Sequence, residues 1–195
     1  IVVDHHRKSS DFIDTTSIMF HDPSSSSASE MVTELIQYIA EEELLACEAE
    51  ALLAGMILDT KGFTLRTAST TFDASSYLKK MGASPVNAKL LFRTDRETYR
   101  NKISLMQEAV IYRDIAAIAV WKTAVPGNIK LITAQAADDL LNVDNVKAAF
   151  TLFEDKSGVN ISARSLGALN VQIIMEYLGG GGHQTMAATV LKNVS

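Results

Sequence analysis

Short apolar runs and longer stretches with helical spacing alternate along the chain. The apolar residues 1–3 read as a buried strand, and a second short strand is predicted at 17–20. Helical spacing follows at 31–39, and residues 43–58 form a further helical segment with a broad Ala/Leu face. The first half is therefore predicted to place short strands before a series of helices.

Helix boundaries in this half have recognisable signals. Ser27-Ala28-Ser29-Glu30 fits a capping box. The serine run 24–27 could instead be a linker, but the helical pattern follows at once and favours the cap. A third helix at 72–80 is expected to end at Gly82, and Ser84-Pro85 supplies an N-cap and a first-turn proline for a fourth.

The second half also mixes helices and strands. Residues 95–112 have mixed charge and apolar residues at helical spacing, and we interpret them as a helix that connects two lobes. The predicted elements beyond it are a strand at 115–121, a helix at 131–141, a hairpin of strands at 148–153 and 159–163, a helix at 171–178 and a closing strand at 186–191.

Alternation of strands and helices in both halves predicts an α/β protein of two lobes. We expect a parallel-sheet α/β lobe followed by a lobe with a mixed sheet and helices. The predicted division is a first lobe at 1–92, a connecting helix at 93–113 and a second lobe at 114–195.

Composition narrows the class of protein. The chain of 195 residues is 47% hydrophobic and 21% charged, which is typical of a soluble globular protein. Its longest apolar stretch, 115–121, is far shorter than the roughly 20 residues that cross a bilayer, so no direct membrane contact is expected. A net charge of -5 argues against binding to duplex nucleic acid.

The single cysteine and the first residues bear on cellular context. Cys47 has no partner for an internal disulfide, which fits a reducing compartment, and the cytoplasm is the predicted location. The Ala/Leu surroundings of Cys47 predict that it is a small core residue. Because the chain opens on a strand without an initiator Met, we expect it to be a fragment of a longer protein.

Two groups of residues could bind a metal ion. Asp4-His5-His6 follows a predicted strand, and imidazole with carboxylate suits divalent ions such as Mn²⁺. The alternative is a polar loop whose histidines bond to nearby backbone groups. Asp59 ends a predicted helix, where it could equally be an ordinary turn-forming aspartate.

A run of four glycines precedes His183 near the end of the chain. Glycine lets the backbone approach a ligand closely and form an anion nest. The run follows a helix and does not precede one, so it is not a phosphate loop of the Walker type. His183 could donate to a phosphate or stack on a base, and the alternative is a flexible helix exit with an exposed histidine.

The order of these motifs changes their interpretation. Asp4-His5-His6, the segment from Leu58-Asp59-Thr60 to Thr64, and the glycine run with His183 together resemble the DHH/DHHA1 phosphoesterase family. The resemblance spans nearly the whole chain. Ser162-Ala163-Arg164-Ser165, followed by Asn170 and the residues up to His183, looks most like the bacterial cyclic-di-AMP phosphodiesterases of that family.

This resemblance implies a phosphodiesterase with two metal ions, usually Mn²⁺, that opens cyclic di-AMP to linear pApA, with other divalent metals left open. His5 and Asp59 would be metal ligands, while Asp4 and His6 would orient ligands, position solvent or contact phosphate. The residues that would bind substrate are Arg164, Gly180, Gly181, Gly182 and His183. The resemblance also implies a role in second-messenger signalling. The parent protein would be anchored in the membrane with this part in the cytoplasm, and a homo-oligomer is possible.

The chain departs from the family pattern at its start. The family's earlier metal-binding motifs lie before the DHH triplet, whereas this chain begins three residues before it. His5 and Asp59 alone are too few to hold two ions. We therefore expect little activity from this chain alone. The alternatives are a DHH/DHHA1 exonuclease acting on very short RNA or pApA, and a nucleotide-binding fragment without catalysis.

Overall fold

The structure is a computed structural model that describes residues 1–6, 13, 15–39, 44–123 and 126–192. The chain forms two compact units, Ile1–Arg93 and Thr94–Ser195. Two predictions fall at least partly outside the described residues. They are the polar loop after the histidine pair, of which a part is described, and the start of the second helix at Glu43. In the parts that are described, no helix is long and apolar enough to cross a membrane.

The described residues of the first unit form a two-stranded parallel sheet and four helices. Strands β1 and β2 pair in the register Val2↔Met19 and Asp4↔His21. The described elements are β1 Val2–Asp4, β2 Met19–His21, α1 Ala28–Ile39, α2 Ala46–Asp59, α3 Ser69–Lys80 and α4 Pro85–Leu90. The carboxyl ends of both strands thus meet at one edge of the sheet, where α/β folds place their sites.

Helix boundaries in this unit follow local chemistry. The Ser27 hydroxyl accepts a hydrogen bond from the Glu30 N–H at 3.0 Å, which confirms the predicted N-cap. Gly82 follows the end of α3 with φ +96°, a left-handed conformation that glycine adopts without strain. Ser84 caps α4 by accepting from the Asn87 N–H, and Pro85 occupies the first turn.

One buried carboxylate joins two helices of this unit. Glu30 of α1 is 1% exposed, and its carboxylate accepts hydrogen bonds from the Ser26 N–H and hydroxyl and from the hydroxyls of Thr70 and Thr71 at the start of α3. Glu30 therefore does not complete the predicted capping box with Ser27. It connects the loop before α1 to α3 instead.

The second unit is built on a six-stranded mixed sheet of order β3-β4-β5-β6-β8-β7. Among its described strands, β4 and β5 pair in parallel and the other neighbours pair antiparallel. The elements are α5 Arg96–Gln107, β3 Val110–Tyr112, β4 Ala116–Val120, α6 Ile129–Leu140, β5 Ala148–Asp155, β6 Gly158–Ser165, α7 Val171–Tyr177, β7 Gly181–His183 and β8 Met186–Leu191. The two units together confirm the predicted α/β class.

Each face of this sheet has its own apolar core. Helix α6 packs Ile132 against one face, which includes Ala149 and Phe153. Helix α7 packs Met175 against the other face, which includes Ala148. Neighbouring residues of β5 thus enter different cores because side chains alternate along a strand.

Two sequence-based expectations are wrong. Cys47 is exposed near the start of α2 and is not a core residue, because the buried face of that helix uses Ala49, Leu53 and Met56 instead. The predicted helix to residue 112 ends at Gln107, and Val110–Tyr112 forms an edge strand paired with β4.

Candidate metal and nucleotide-binding residues

The histidine pair follows the first strand directly, at the carboxyl edge of the small parallel sheet. Asp4 is the last residue of β1, and His5 and His6 come after it. His5 is buried, whereas the His6 side chain is 58% exposed. The two rings meet edge to face with centroids 4.5 Å apart. One histidine thus faces the interior of the unit while its neighbour remains accessible.

Asp59 lies close to His5 although the two are far apart in sequence. The distance from His5 Nε2 to Asp59 Oδ2 is 3.7 Å, and the Asp59 side chain is 42% exposed. Two ligands at about 2.1 Å from one ion, at tetrahedral or octahedral angles, are separated by about 3.0–3.4 Å. A small adjustment would therefore let both atoms bind the same ion.

The environment of His5 favours the neutral ring that a metal ion requires. Burial is the main cause that holds the pKa of His5 below its ordinary value, and repulsion from His6 and Arg66 acts in the same direction. Asp59 opposes this shift by favouring the protonated ring. The net result is an imidazole with an available lone pair near pH 7.

The position of Asp59 at the end of α2 is unfavourable for helix stability. A carboxylate in the last turn of a helix lies beside the negative end of the macrodipole. The next residue, Thr60, is buried and donates its hydroxyl to the Met56 carbonyl at 2.6 Å. Thr60 thus anchors the end of the helix without Asp59, and this leaves the carboxylate available for a ligand.

Asp4 holds His6 in place. Asp4 Oδ1 accepts the His6 N–H at 3.0 Å and lies 2.8 Å from His6 Nδ1. These two hydrogen bonds are the leading causes of the lowered pKa of Asp4, the backbone bond being the larger. Asp4 is consequently ionised at neutral pH, and it favours the His6 tautomer that carries the proton on Nδ1.

A third histidine, which the sequence motifs do not indicate, lies at this edge. His21 ends β2 beside Asp4, and its Nε2 lies 2.7 Å from the His6 carbonyl oxygen. The available signal was the parallel pairing of two strands, because such pairing brings the residues at their carboxyl ends together. Arg66 has no sequence motif either, and its place is set by hydrogen bonds to the distant carbonyls of Pro23 and Ser25.

The structure brings two possible metal donors together. His5 and Asp59 supply one nitrogen and one carboxylate, a donor set suited to Mn²⁺. Over the described ranges, no group of three or more His, Cys, Asp or Glu side chains comes together in a metal-binding arrangement. His5 and Asp59 are placed so that both could bind the same metal ion. A site with two ions would need further ligands.

The glycine run is an ordered strand in the second unit and not a flexible exit. Helix α7 ends at Tyr177 with Leu178 as its C-cap, and the Gly180 N–H donates to the Met175 carbonyl at 2.8 Å. Gly181–His183 then forms β7, an edge strand paired with β8 in the register His183↔Met186. The run thus turns the chain from a helix directly into the sheet.

The last three glycines of the run have different surroundings. A Cβ on Gly180 would lie 2.2 Å from the Ala188 carbonyl oxygen, and one on Gly182 would lie 2.5 Å from the Ala187 Cα. Gly182 also has φ +145°, which disfavours other residues. A Cβ on Gly181 would meet nothing within 4 Å among the described residues. Close contact with β8 explains why positions 180 and 182 are glycine, but it does not explain the glycine at position 181.

Arg164 has a carboxylate neighbour within the second unit. Its Nε lies 3.2 Å from Asp138 Oδ1 of α6 as an ion pair, and its Nη1 donates to the Ala163 carbonyl at 2.9 Å. The Arg164 side chain is 11% exposed. A role in substrate binding, which stays a prediction, would therefore use the other donors of its guanidinium group.

Two family models match the chain. The model described as "DHH family, N-terminal domain" matches residues 1–56, and the "DHHA1 domain" matches residues 116–195. The first match includes the Asp4-His5-His6 triplet, and the second includes Arg164 and the glycine run.

Curated relatives extend the similarity over the whole chain. The cyclic-di-AMP phosphodiesterase PdeA of Listeria monocytogenes is 45% identical over 198 residues, and the cyclic-di-AMP phosphodiesterase GdpP of Bacillus subtilis is 45% identical over 202 residues. Both alignments cover 100% of this chain but 30% of the relative. The chain thus spans about a third of the length of these relatives.

A solved structure supports the fold. The crystal structure of an exopolyphosphatase-related protein from Bacteroides fragilis superposes with a TM-score of 0.84 at 24% identity. The superposition covers 99% of this chain and 58% of that one. At this identity the likeness concerns the fold alone.

Proposed function

Since this chain belongs to the DHH family and carries its DHHA1 domain, we propose that it is the catalytic part of a metal-dependent phosphodiesterase that opens cyclic di-AMP to linear pApA. The observation that carries the proposal is the approach of His5 Nε2 to Asp59 Oδ2 at 3.7 Å. The identity of 45% with two cyclic-di-AMP phosphodiesterases supports the choice of substrate.

The mechanism assigns different tasks to the residues at the sheet edge. Bound divalent ions would supply an activated water and neutralise negative charge on the phosphoryl group. His5 and Asp59 would hold metal. Asp4 keeps His6 oriented through Nδ1, so that proton exchange at the His6 ring would use Nε2. No side-chain nucleophile is needed for such a hydrolysis.

We further propose that the second unit binds the nucleotide through Gly181 and His183. Gly181 provides space for close ligand approach, and His183 supplies a hydrogen-bonding ring at the end of the same strand. Gly180 and Gly182 maintain the pairing with β8. The involvement of Arg164 and the identity of the metal as Mn²⁺ are parts of the same proposal. The cytoplasmic location, the membrane-anchored parent, a homo-oligomer and a role in second-messenger signalling stay predictions.

A pair of glycine variants separates ligand binding from folding. Gly181→Val is expected to leave thermal stability nearly unchanged and to weaken cyclic-di-AMP binding at least about tenfold, because the new side chain enters open space that the ligand would occupy. Gly182→Ala is expected to lower the melting temperature, because its Cβ meets the β8 backbone. Calorimetric titration and thermal unfolding measure the two effects. Unchanged binding by Gly181→Val would exclude this position from the ligand site.

The proposed activity is tested by incubating cyclic di-AMP with Mn²⁺ and separating the products by chromatography. This chain is compared with a longer chain that extends it to the length of the curated relatives. We expect pApA from the longer chain and little from these 195 residues, because His5 and Asp59 supply too few ligands for two ions. Rapid turnover by the 195 residues alone would contradict the ligand count, whereas no turnover by the longer chain would contradict the function.

A further inference from the structure

A cavity lies beside the loop that follows Asp59, and its lining contains none of the residues assigned above to metal or nucleotide binding. It has a volume of about 510 Å³ and lies within the first unit. Its lining includes Phe63, Thr64, Arg66, Thr67 and Phe72. The cavity thus combines aromatic rings, hydroxyl groups and a guanidinium group in the segment directly after a proposed metal ligand.

The loop that forms this cavity has an unusual backbone. Lys61, Phe63 and Arg66 have φ values of 51°, 64° and 51°, in the left-handed region that side chains disfavour. Thr60 stabilises the loop, because its carbonyl accepts the Thr64 N–H at 2.9 Å and its hydroxyl accepts the Phe63 N–H at 2.9 Å. Three strained residues within six positions are typical of a segment shaped to hold a ligand.

Two aromatic rings form an accessible surface at the cavity. Phe63 and Phe72 stack with centroids 5.6 Å apart and an interplanar angle of 24°. Phe72 remains 55% exposed. An accessible aromatic face is a sequence-tolerant platform on which a nucleobase can stack.

Arg66 adds a positive charge at the same place. Its Nη2 donates to the carbonyls of Pro23 at 2.9 Å and Ser25 at 3.2 Å, which fixes the side chain against the loop before α1. No carboxylate in the described part of the first unit forms an ion pair with Arg66. The guanidinium group is therefore oriented by neutral acceptors and has donors left for an anion.

The cavity is also near the proposed metal ligands. Arg66 donates to the carbonyls of Pro23 and Ser25, which lie in the loop directly after β2. That loop begins at the carboxyl edge of the small sheet, where the Asp22 N–H donates to the Asp4 carbonyl at 3.1 Å and His5 follows Asp4. In sequence, Arg66 follows Asp59 by one short loop. A ligand phosphate at Arg66 would thus lie on the same side of the unit as His5 and Asp59.

We propose that this cavity is a nucleotide subsite in which a base stacks on Phe72 and Arg66 binds a phosphate of the same nucleotide. The inference rests on the proposed function, since it supplies one half of the dinucleotide contact near the metal ligands. It assigns substrate recognition to the first unit as well as to the glycine run of the second.

Amide chemical shifts of the ¹⁵N-labelled chain test the subsite without catalysis. Adenosine 5′-monophosphate is expected to shift the amide signals of Thr64, Arg66, Thr67 and Ala68. Adenosine should shift the signals beside Phe72, and ribose 5-phosphate should shift that of Arg66. Shifts confined to other parts of the chain would overturn the proposal, as would equal shifts with inorganic phosphate alone.

Binding of cyclic di-AMP by the longer chain provides the second test. Phe72→Ala and Arg66→Gln should each weaken binding about tenfold, since stacking on an aromatic ring and a charged hydrogen bond each contribute this much or more. Phe72→Leu should weaken it similarly, because it retains apolar bulk but loses the aromatic face. The matched controls are Phe92→Ala and Arg93→Gln, at exposed positions of the same unit outside the cavity lining.

The outcomes distinguish the subsite from the function. If the unsubstituted longer chain does not bind cyclic di-AMP, the proposed function fails, while the shifts with adenosine 5′-monophosphate still decide the subsite. If it binds cyclic di-AMP and the Phe72 and Arg66 variants bind as tightly as the controls, the subsite is wrong and the function stands. Circular dichroism checks that each variant is folded.

Discussion

Asp59→Asn is expected to reduce metal-dependent hydrolysis of cyclic di-AMP in the longer chain by more than about a hundredfold. Removing a group that only supports a metal ligand typically costs ten- to a hundredfold, and Asp59 is proposed to be a ligand itself. The amide keeps the size of the side chain but removes the negative charge of the carboxylate, whose Oδ2 lies 3.7 Å from His5 Nε2 and would bind the ion together with it. Turnover and bound metal, measured by elemental analysis, should fall together.

Stability distinguishes this loss from misfolding. Asp59 lies at the carboxyl end of α2, where a negative charge opposes the helix dipole, so Asp59→Asn should leave the melting temperature unchanged or slightly higher. Asp73→Asn, an exposed aspartate of α3, is the matched control and should retain both metal and activity. Retention of full metal content by Asp59→Asn would contradict its assignment as a ligand.

Glu30→Ala is expected to lower the free energy of unfolding by about 2–4 kcal/mol, because it leaves several buried donors without their charged acceptor. The Glu30 carboxylate accepts from Ser26, Thr70 and Thr71, and the Thr70 and Thr71 hydroxyls lie 2.7 Å and 2.8 Å away. The substitution also leaves a cavity between α1 and α3. Urea denaturation monitored by circular dichroism measures the change.

The contribution of Glu30 has a defined pH dependence. Burial raises its pKa, but the hydrogen bonds from Ser26, Thr70 and Thr71 together outweigh that effect, and the net pKa is lowered. A glutamate with a lowered pKa in the folded state stabilises the fold above its ordinary pKa near 4.5. This contribution is lost as the pH falls through the lowered value, so the difference between wild type and Glu30→Ala should narrow in acid.

Glu34 provides a control on the same helix, one turn further on. Its pKa is raised, first by burial and then by repulsion from Glu30 and Asp22, so its ionised form slightly disfavours the folded state at neutral pH. Glu34→Ala should therefore change stability by no more than about 0.5 kcal/mol, in either direction. Equal destabilisation by the two substitutions would show that Glu30 has no special role in joining α1 to α3.

The parts of the fold with local signals could be predicted from sequence. The cap at Ser27, the glycine after α3 and the Ser84-Pro85 start of α4 follow from chemistry within a few residues. The strand at 110–112 could not be found in this way. Its apolar residues continue the helical spacing of the preceding segment, and only pairing with β4 makes it a strand.

The site could be predicted in part, for a similar reason. The Asp4-His5-His6 triplet and Asp59 belong to motifs that are visible in the sequence, whereas the position of His21 depends on the parallel pairing of two short strands. Arg66 has no sequence signal of its own, because its place is set by carbonyls of a distant loop. For Cys47, an Ala/Leu-rich sequence did not indicate which side of the helix is buried.

The most direct test of the account compares two substrates in one assay. The longer chain is incubated with Mn²⁺ and either cyclic di-AMP or linear pApA, and the products are separated by chromatography over time. We expect that cyclic di-AMP is opened to pApA faster than pApA is broken down, and that Asp59→Asn abolishes this reaction. Degradation of pApA or short RNA from one end, with cyclic di-AMP left intact, would contradict it and identify an exonuclease.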